Sequence, residues 1–134
     1  MVSKILKFSI KKLSRTLVDK FSCIEILYLF GSSRDGEVKK GSDIDVGIFI
    51  NSSVLKKNPL IGLEIEVYLQ ELLKCSVDVV IMNKANSVLR YEVLNTGKRI
   101  FEKDSDKRRL NELCFIKDYF DVKYYQQKRN GYGQ

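Results

Sequence analysis

The sequence predicts an α/β fold in which helices pack on one small mixed sheet of about four strands. The first observation is the length, because 134 residues suit one domain and leave no room for two. The second is that apolar segments with helical spacing alternate along the chain with short apolar runs typical of strands. The third is a hydrophobic content of 44%, which can fill a core. We therefore predict a single domain over residues 1–134, with a frayed tail at about 130–134.

The first half of the chain predicts one helix and two strands. Residues 3–21 carry apolar side chains at helical spacing between lysines, which indicates an amphipathic helix. Residues 24–30 form an apolar run that Gly31 ends, as expected of a buried strand. Residues 32–42 are polar and predict a loop or one short helix. Residues 43–50 alternate apolar and other side chains, which predicts a second strand with a polar start on one face.

The second half predicts three helices and two strands. Asn58 and Pro59 are a favourable helix start, with the asparagine as cap and the proline in the first turn. Gly97 follows a short helical segment and is placed to end it. The predicted helices cover residues 58–74, 86–95 and 105–127, and the predicted strands cover residues 77–82 and 99–102.

Composition limits the classes of protein to which the chain can belong. The formal net charge is +7, which suits nucleotides, nucleic acid or an acidic protein surface, and equally a well-solvated basic surface. Three separated cysteines and the lack of histidine argue against structural zinc and favour reduced thiols in a cytoplasmic protein. No apolar run approaches the roughly 20 residues of a membrane span, and no secretory signal is visible.

The most informative pattern is Gly31-Ser32, ten residues, and then Asp43-Ile44-Asp45. Two aspartates two residues apart on a strand project from the same face and repel each other, so a divalent cation favours their ionised form. Glycine lets phosphate approach the backbone closely, and the serine offers a hydroxyl and an amide donor. Alone, the Gly-Ser pair is explained as a turn that ends a strand, and the two aspartates are explained as a turn residue or cap and a solvent-facing residue. The combined spacing favours a site for nucleotide and metal.

This spacing resembles the nucleotidyltransferase superfamily that includes DNA polymerase β, and in particular its minimal members. The resemblance covers roughly residues 24–104 and implies a small polymerase-β-like fold. It also implies catalysis with Mg²⁺ or Mn²⁺, in which Asp43 and Asp45 are metal ligands and Gly31 and Ser32 bind ATP or another NTP.

A third carboxylate is expected on a neighbouring strand, and Asp78 is the best candidate. It stands in an otherwise apolar strand, where an unpaired charge is costly to bury. The resemblance implies that it is the third metal ligand and that it activates the acceptor hydroxyl. The alternative is structural, in which Asp78 carries its charge only because it lies at the exposed start of the strand. Glu64 and Glu66 are alternatives, although their helix is expected to turn them to water. In the loop before Asp43, three basic residues are candidates for triphosphate contact or are solvated charges: Arg34, Lys39 and Lys40.

Minimal nucleotidyltransferases resembling this chain often act as antitoxins that transfer AMP to a tyrosine of a partner HEPN-domain ribonuclease. Three interpretations stay open: this protein adenylyltransferase, a homo-oligomeric enzyme acting on a small molecule such as an aminoglycoside, and a non-catalytic binding antitoxin. The lack of a second domain disfavours the small molecule, and the complete aspartate set disfavours the non-catalytic module. Nucleic acid is not expected as a direct substrate.

The ends of the chain predict a docking surface for such a partner. Basic residues are dense at both ends, and the last helix carries five aromatic side chains. Some of these rings must cover the sheet, and the remainder are of a composition enriched at interfaces. The five are Phe115, Tyr119, Phe120, Tyr124 and Tyr125.

Overall fold

The computed structural model describes residues 5–7, 9–39 and 43–132. Its strands are β1 (Ile5–Lys7), β2 (Ile24–Phe30), β3 (Glu37–Lys39), β4 (Ile44–Ile50), β5 (Val77–Ile81) and β6 (Lys98–Glu102). Its helices are α1 (Ile10–Lys20), α2 (Ser52–Lys57), α3 (Ile61–Leu73), α4 (Ser87–Thr96) and α5 (Ser105–Tyr132).

One mixed sheet of four strands organises the described residues, in the order β5-β4-β2-β6. The strand β2 is antiparallel to both β4 and β6, whereas β4 and β5 are parallel. The two central strands are the most apolar, and their side chains pack against α1 and α3 on one face and against α4 and α5 on the other. The predicted α/β class and the four-stranded mixed sheet are confirmed. A separate antiparallel pair joins β1 and β3.

The start of the chain differs from the prediction of a helix over residues 3–21. Residues 5–7 form β1, and the helix begins at Ile10, after Ser9, whose side chain accepts a hydrogen bond from the backbone N–H of Lys12 at 3.2 Å. A serine cap of this kind defines a helix start that periodicity alone does not reveal. Residues 3, 4 and 8 lie outside the described residues. The strand β3 occupies part of the segment predicted as loop or short helix.

The helix predicted over residues 58–74 is confirmed as α3, which begins three residues later than predicted, and a short helix that was not predicted, α2, precedes it. Asn51 caps α2 by accepting from the N–H groups of Ser53 and Val54, and Asn58 ends α2 instead of starting the next helix. The following helix, α3, begins at Ile61 without a side-chain cap. The last helix runs to Tyr132, beyond the predicted end near Gln127, and fraying of the final residues stays a prediction.

The long helix α5 is fastened to the sheet by buried contacts in its first half. The Tyr28 hydroxyl donates to Oε2 of Glu112 at 2.8 Å, and burial, followed by this hydrogen bond to Glu112, raises the pKa of Tyr28. Phe115 is buried beside Met82 and Val93. No helix in the described ranges is long and apolar enough to cross a membrane.

Candidate active site

The candidate site lies where the ends of three neighbouring strands meet. Asp45 is the second residue of β4, and its register partners are Phe30, the last residue of β2, and Asp78, the second residue of β5. Asp45 is half-buried, while Asp43 and Asp78 are exposed. The parallel pairing of β4 and β5 therefore brings together two of the three predicted aspartates, and Asp43 precedes the same strand by one residue.

The turn after β2 is shaped around the carboxylate of Asp45. Residues Gly31–Ser33 form a single 3₁₀ turn, and Gly31 has φ +72°. A Cβ atom at Gly31 would come closer than 3.0 Å to Oδ2 of Asp45, an approach that real side chains do not make. Both the left-handed backbone and the contact require glycine. Ser32 follows on the exposed side of the turn. The predicted nucleotide-binding pair thus lies directly beside one of the predicted metal ligands.

Among the described residues, burial and negative charge dominate the electrostatics of Asp45. Burial raises the pKa of Asp45, and the negative charges of Asp78 and then Asp43 raise it further. The two neighbours act on the same group, so all three carboxylates share one electrostatic environment. A cation at this point would reverse the effect, because it stabilises the ionised carboxylate.

The carboxylates fit a divalent cation by their chemistry. Oxygen ligands from one or two carboxylates, completed by water and substrate phosphates, are what Mg²⁺ prefers. Among the described residues, no three cysteine, aspartate or glutamate side chains are already arranged to hold a metal ion. The donor set therefore fits in type, and a bound nucleotide would have to supply further oxygen ligands.

The two alternative carboxylates, Glu64 and Glu66, are engaged elsewhere. Oε1 of Glu64, which is exposed as predicted, accepts from the side-chain amide of Asn58 at 3.2 Å. Glu66 is half-buried, contrary to the prediction, and its Oε1 accepts from the backbone N–H of Val79 at 3.0 Å. Sequence spacing did not reveal this contact, because it depends on how α3 lies along β5.

Of the three basic loop residues, Arg34 has a described side chain. Its guanidinium donates to the carbonyl oxygen of Thr96 at 2.9 Å, at the end of α4. A cation at the carboxyl end of a helix is favourable, so this contact joins the loop to α4. The side chain of Lys39 and the whole of Lys40 lie outside the described residues.

The five aromatic side chains of α5 that were assigned to the docking surface or the core divide between these two places. Phe115 is buried, and Tyr119 stacks on Tyr91 of α4 with ring centroids 3.9 Å apart. Phe120, Tyr124 and Tyr125 are 55%, 58% and 68% exposed. The prediction that some rings cover the fold while others face outward is confirmed.

Comparison with known proteins agrees with this geometry. Residues 11–106 match the family described as polymerase beta, nucleotidyltransferase. A protein adenylyltransferase MntA of Aphanizomenon flos-aquae is 27% identical over 105 residues, covering 73% of this chain and 70% of the relative. The protein adenylyltransferase MntA of Shewanella oneidensis is 26% identical over 118 residues, covering 88% and 80%.

Solved structures share the fold. A toxin–antitoxin complex crystallised with AMP-PNP contains a chain that matches with a TM-score of 0.76 at 24% identity, over 92% of this chain and 97% of that one. A complex of tri-AMPylated Shewanella oneidensis HEPN toxin with its MNT antitoxin matches with a TM-score of 0.71 at 23% identity, over 91% and 92%.

Proposed function

Because the chain belongs to the polymerase β nucleotidyltransferase family, we propose that it is a protein adenylyltransferase of the antitoxin type. It transfers AMP from ATP to a tyrosine hydroxyl of a HEPN-domain toxin. The observation that carries the proposal is the placement of Asp45 between the Gly31 turn and Asp78. Two relatives named protein adenylyltransferase, and solved relatives that contain AMP-PNP or an AMPylated HEPN toxin, support this substrate and partner.

Each residue of the site has a distinct role in the proposed reaction. Gly31 and Ser32 bind the nucleotide phosphates, because the glycine leaves room and the serine supplies donors. Asp43, Asp45 and Asp78 hold divalent metal, which members of this family generally use, and we propose Mg²⁺ or Mn²⁺. When bound, the metal neutralises charge on the phosphates and stabilises the attacking and leaving oxygens.

Asp78 is the residue best placed to meet the acceptor. It is exposed at the edge of the sheet, whereas Asp45 is flanked by strands on both sides. As the tyrosine oxygen bonds to the α-phosphorus of ATP, Asp78 accepts the phenolic proton and the bond to the β-phosphate oxygen breaks. Pyrophosphate leaves with that electron pair. The product is a tyrosine that carries AMP through a phosphodiester.

The product explains how transfer would neutralise a ribonuclease. A phosphodiester adds a negative charge and a nucleoside next to the nuclease site. RNA presents phosphates to that site, so the modified tyrosine repels and obstructs it. We place this reaction in the cytoplasm, where ATP and cellular RNA meet.

The outward side of α5 is the surface that we assign to the toxin. Its exposed apolar side chains recur at intervals of three, seven and four residues, as Leu110, Leu113, Phe120 and Tyr124. Lys117, Lys123 and Lys128 lie along the same helix and favour an acidic partner surface. An apolar stripe on a helix suits a helical partner, such as the HEPN toxin in the solved relatives.

The test is intact mass spectrometry of both proteins after incubation with ATP, Mg²⁺ and a HEPN-domain toxin from the same organism. We expect the toxin mass to increase by one or more AMP units. The Asp45→Asn variant should give no increase, whereas the exposed control Asp19→Asn on α1 should behave like the wild type. An unmodified toxin, with AMP appearing on an aminoglycoside instead, would replace this function with that of a small-molecule enzyme. Tight toxin binding with no transfer to any acceptor would indicate a non-catalytic antitoxin.

A further inference from the structure

The outer edge of β5 is covered by two side chains of α3 instead of by another strand. Gln70 donates from Nε2 to the carbonyl oxygen of Val77 at 3.1 Å. Glu66 accepts at Oε1 from the N–H of Val79 at 3.0 Å. These two backbone groups flank Asp78 on either side. Edge strands normally leave such groups to solvent or to another chain, so the two contacts replace a missing strand over the stretch that carries the candidate base.

The alternation of a β-strand explains why Asp78 lies between the two contacts. Successive residues direct their backbone groups to opposite sides. The backbone carbonyl of Val77 and the backbone N–H of Val79 are directed outward to α3. Asp78 is the register partner of Asp45 on the inner side, in β4. The peptide groups around Asp78 are therefore held by β4 on one side and by α3 on the other.

The helix that supplies these two side chains is itself anchored. Glu66 and Gln70 are four residues apart, so they lie on the same side of α3. Ile65 and Leu69, each next to one of them in sequence, are 0% exposed in the core. Both are packed beneath the sheet with the β4 and β5 side chains. A helix fixed in this way can hold the edge strand in register, which flexible surface side chains cannot.

We infer that Glu66 and Gln70 are positioning residues for Asp78, an inference that rests on the proposed transferase function. They do not touch substrate. They fix the backbone of β5, so that the Asp78 carboxylate meets the acceptor hydroxyl and the nucleotide at the required place. Displacement of a reacting group by about 1 Å can cost about 100-fold in rate, which makes the backbone of an edge strand a sensitive point.

Glu66 offers a test that separates positioning from charge. Glu66→Ala removes the acceptor, whereas Glu66→Gln keeps an amide oxygen that can accept from Val79. We expect Glu66→Ala to lower kcat for AMP transfer about 10-fold or more, with the KM for ATP little changed because the Gly31 turn is on another strand. Glu66→Gln should stay within about twofold of the wild type, since the hydrogen bond is preserved. Glu71→Ala, an exposed glutamate of the same helix, is the matched control and should change neither constant.

A second measurement reports on the strand without depending on activity. Amide hydrogen exchange followed by NMR should show faster exchange at Val79 in Glu66→Ala, by about tenfold for one lost hydrogen bond. Exchange in the central strand, for example at Leu27, should stay unchanged, which separates local loosening from general unfolding. Glu66→Gln should restore protection at Val79.

The outcomes distinguish this inference from the function on which it rests. Unaltered Val79 exchange and unaltered kcat in Glu66→Ala would refute the positioning role. A Glu66→Gln variant as slow as Glu66→Ala would also overturn it, because the carboxylate charge would then be the essential property. A wild-type protein that transfers AMP to no protein would instead refute the proposed function, and the exchange experiment would still decide whether Glu66 holds the strand.

Discussion

Replacement of Gly31 by alanine is the most direct test of how the turn after β2 serves the site. Two costs follow from the geometry. A non-glycine residue in the left-handed region, at φ +72°, costs about 1–2 kcal/mol. The new Cβ would also meet Oδ2 of Asp45, so either the turn or the carboxylate must move. We expect the variant to unfold at a temperature lower by roughly 3–6 °C, as a loss of this size implies for a domain of this length.

The effect on transfer should exceed the effect on stability. Because the clash displaces the Asp45 carboxylate itself, we expect kcat/KM for ATP to fall about 100-fold at a temperature where the variant stays folded. Gly36→Ala is the control, since Gly36 lies in the same loop with φ +86° and carries the same backbone strain. Melting curves and transfer kinetics of both variants provide the comparison. If Gly31→Ala transfers AMP as fast as Gly36→Ala, the turn is structural and the argument from Asp45 is refuted.

Three further predictions concern charge and docking. Asp45→Asn should raise the free energy of unfolding in metal-free buffer at pH 7, measured with urea, because burial and two negative neighbours disfavour the ionised carboxylate; a less stable variant would contradict this. The hydrogen bond from Arg108 lowers the pKa of Glu102 below its ordinary value of 4.5. The contribution of this ion pair to stability is therefore present above that value and is lost as the pH falls through the lowered pKa. Wild-type stability should fall more steeply on acidification than that of Glu102→Gln, and parallel curves would refute the role. Phe120→Glu on α5 should weaken toxin binding in calorimetry at least about tenfold, as expected for an aromatic interface anchor, and the control Leu72→Glu on α3 should not.

The elements that the sequence predicted well are those in which one signal dominates. Apart from Glu25, the run from Ile24 to Phe30 is apolar on both faces because helices pack against both sides of the sheet at β2, and its bounds were predicted to the residue. The alternation from Ile44 to Ile50 likewise follows from a strand that directs its four aliphatic side chains into one core cluster. In both strands the positions that are buried require apolar side chains, so the sequence pattern reports the burial directly.

The elements that were missed depend on contacts that no local pattern records. The strand β1 has three residues and exists by pairing with β3, whose residues are 30 or more positions away. The break between α2 and α3 is set by Asn51 and Asn58, which serve as caps at opposite ends of a six-residue helix. Since asparagine is favourable at either end, its presence alone does not decide which end it marks.

The candidate site was predicted through spacing, and what was missed is the support around it. A glycine and two aspartates at a known offset are visible in sequence, and Asp78 is visible as a charge in an apolar strand. Glu66 was considered only as a possible ligand, because its link to Val79 requires the packing of α3 along the edge of β5. Residues that contact the substrate can be recognised by a sequence motif, whereas residues that position them are recognised only from the tertiary structure.

The site departs from the rules that stabilise the rest of the fold. Gly31 has a backbone that other residues avoid, Asp45 is a half-buried carboxylate beside two like charges, and β5 ends the sheet with an edge that no strand of the described residues covers. The close approach of Gly31 and the like charges meet at the Asp45 carboxylate, and the supported edge belongs to the strand that pairs with β4 there. Folded proteins tolerate such local conflicts where function requires them and support them with surrounding contacts. The required glycine, the repulsion among the carboxylates and the supported strand next to them therefore argue for catalysis here independently of any sequence motif.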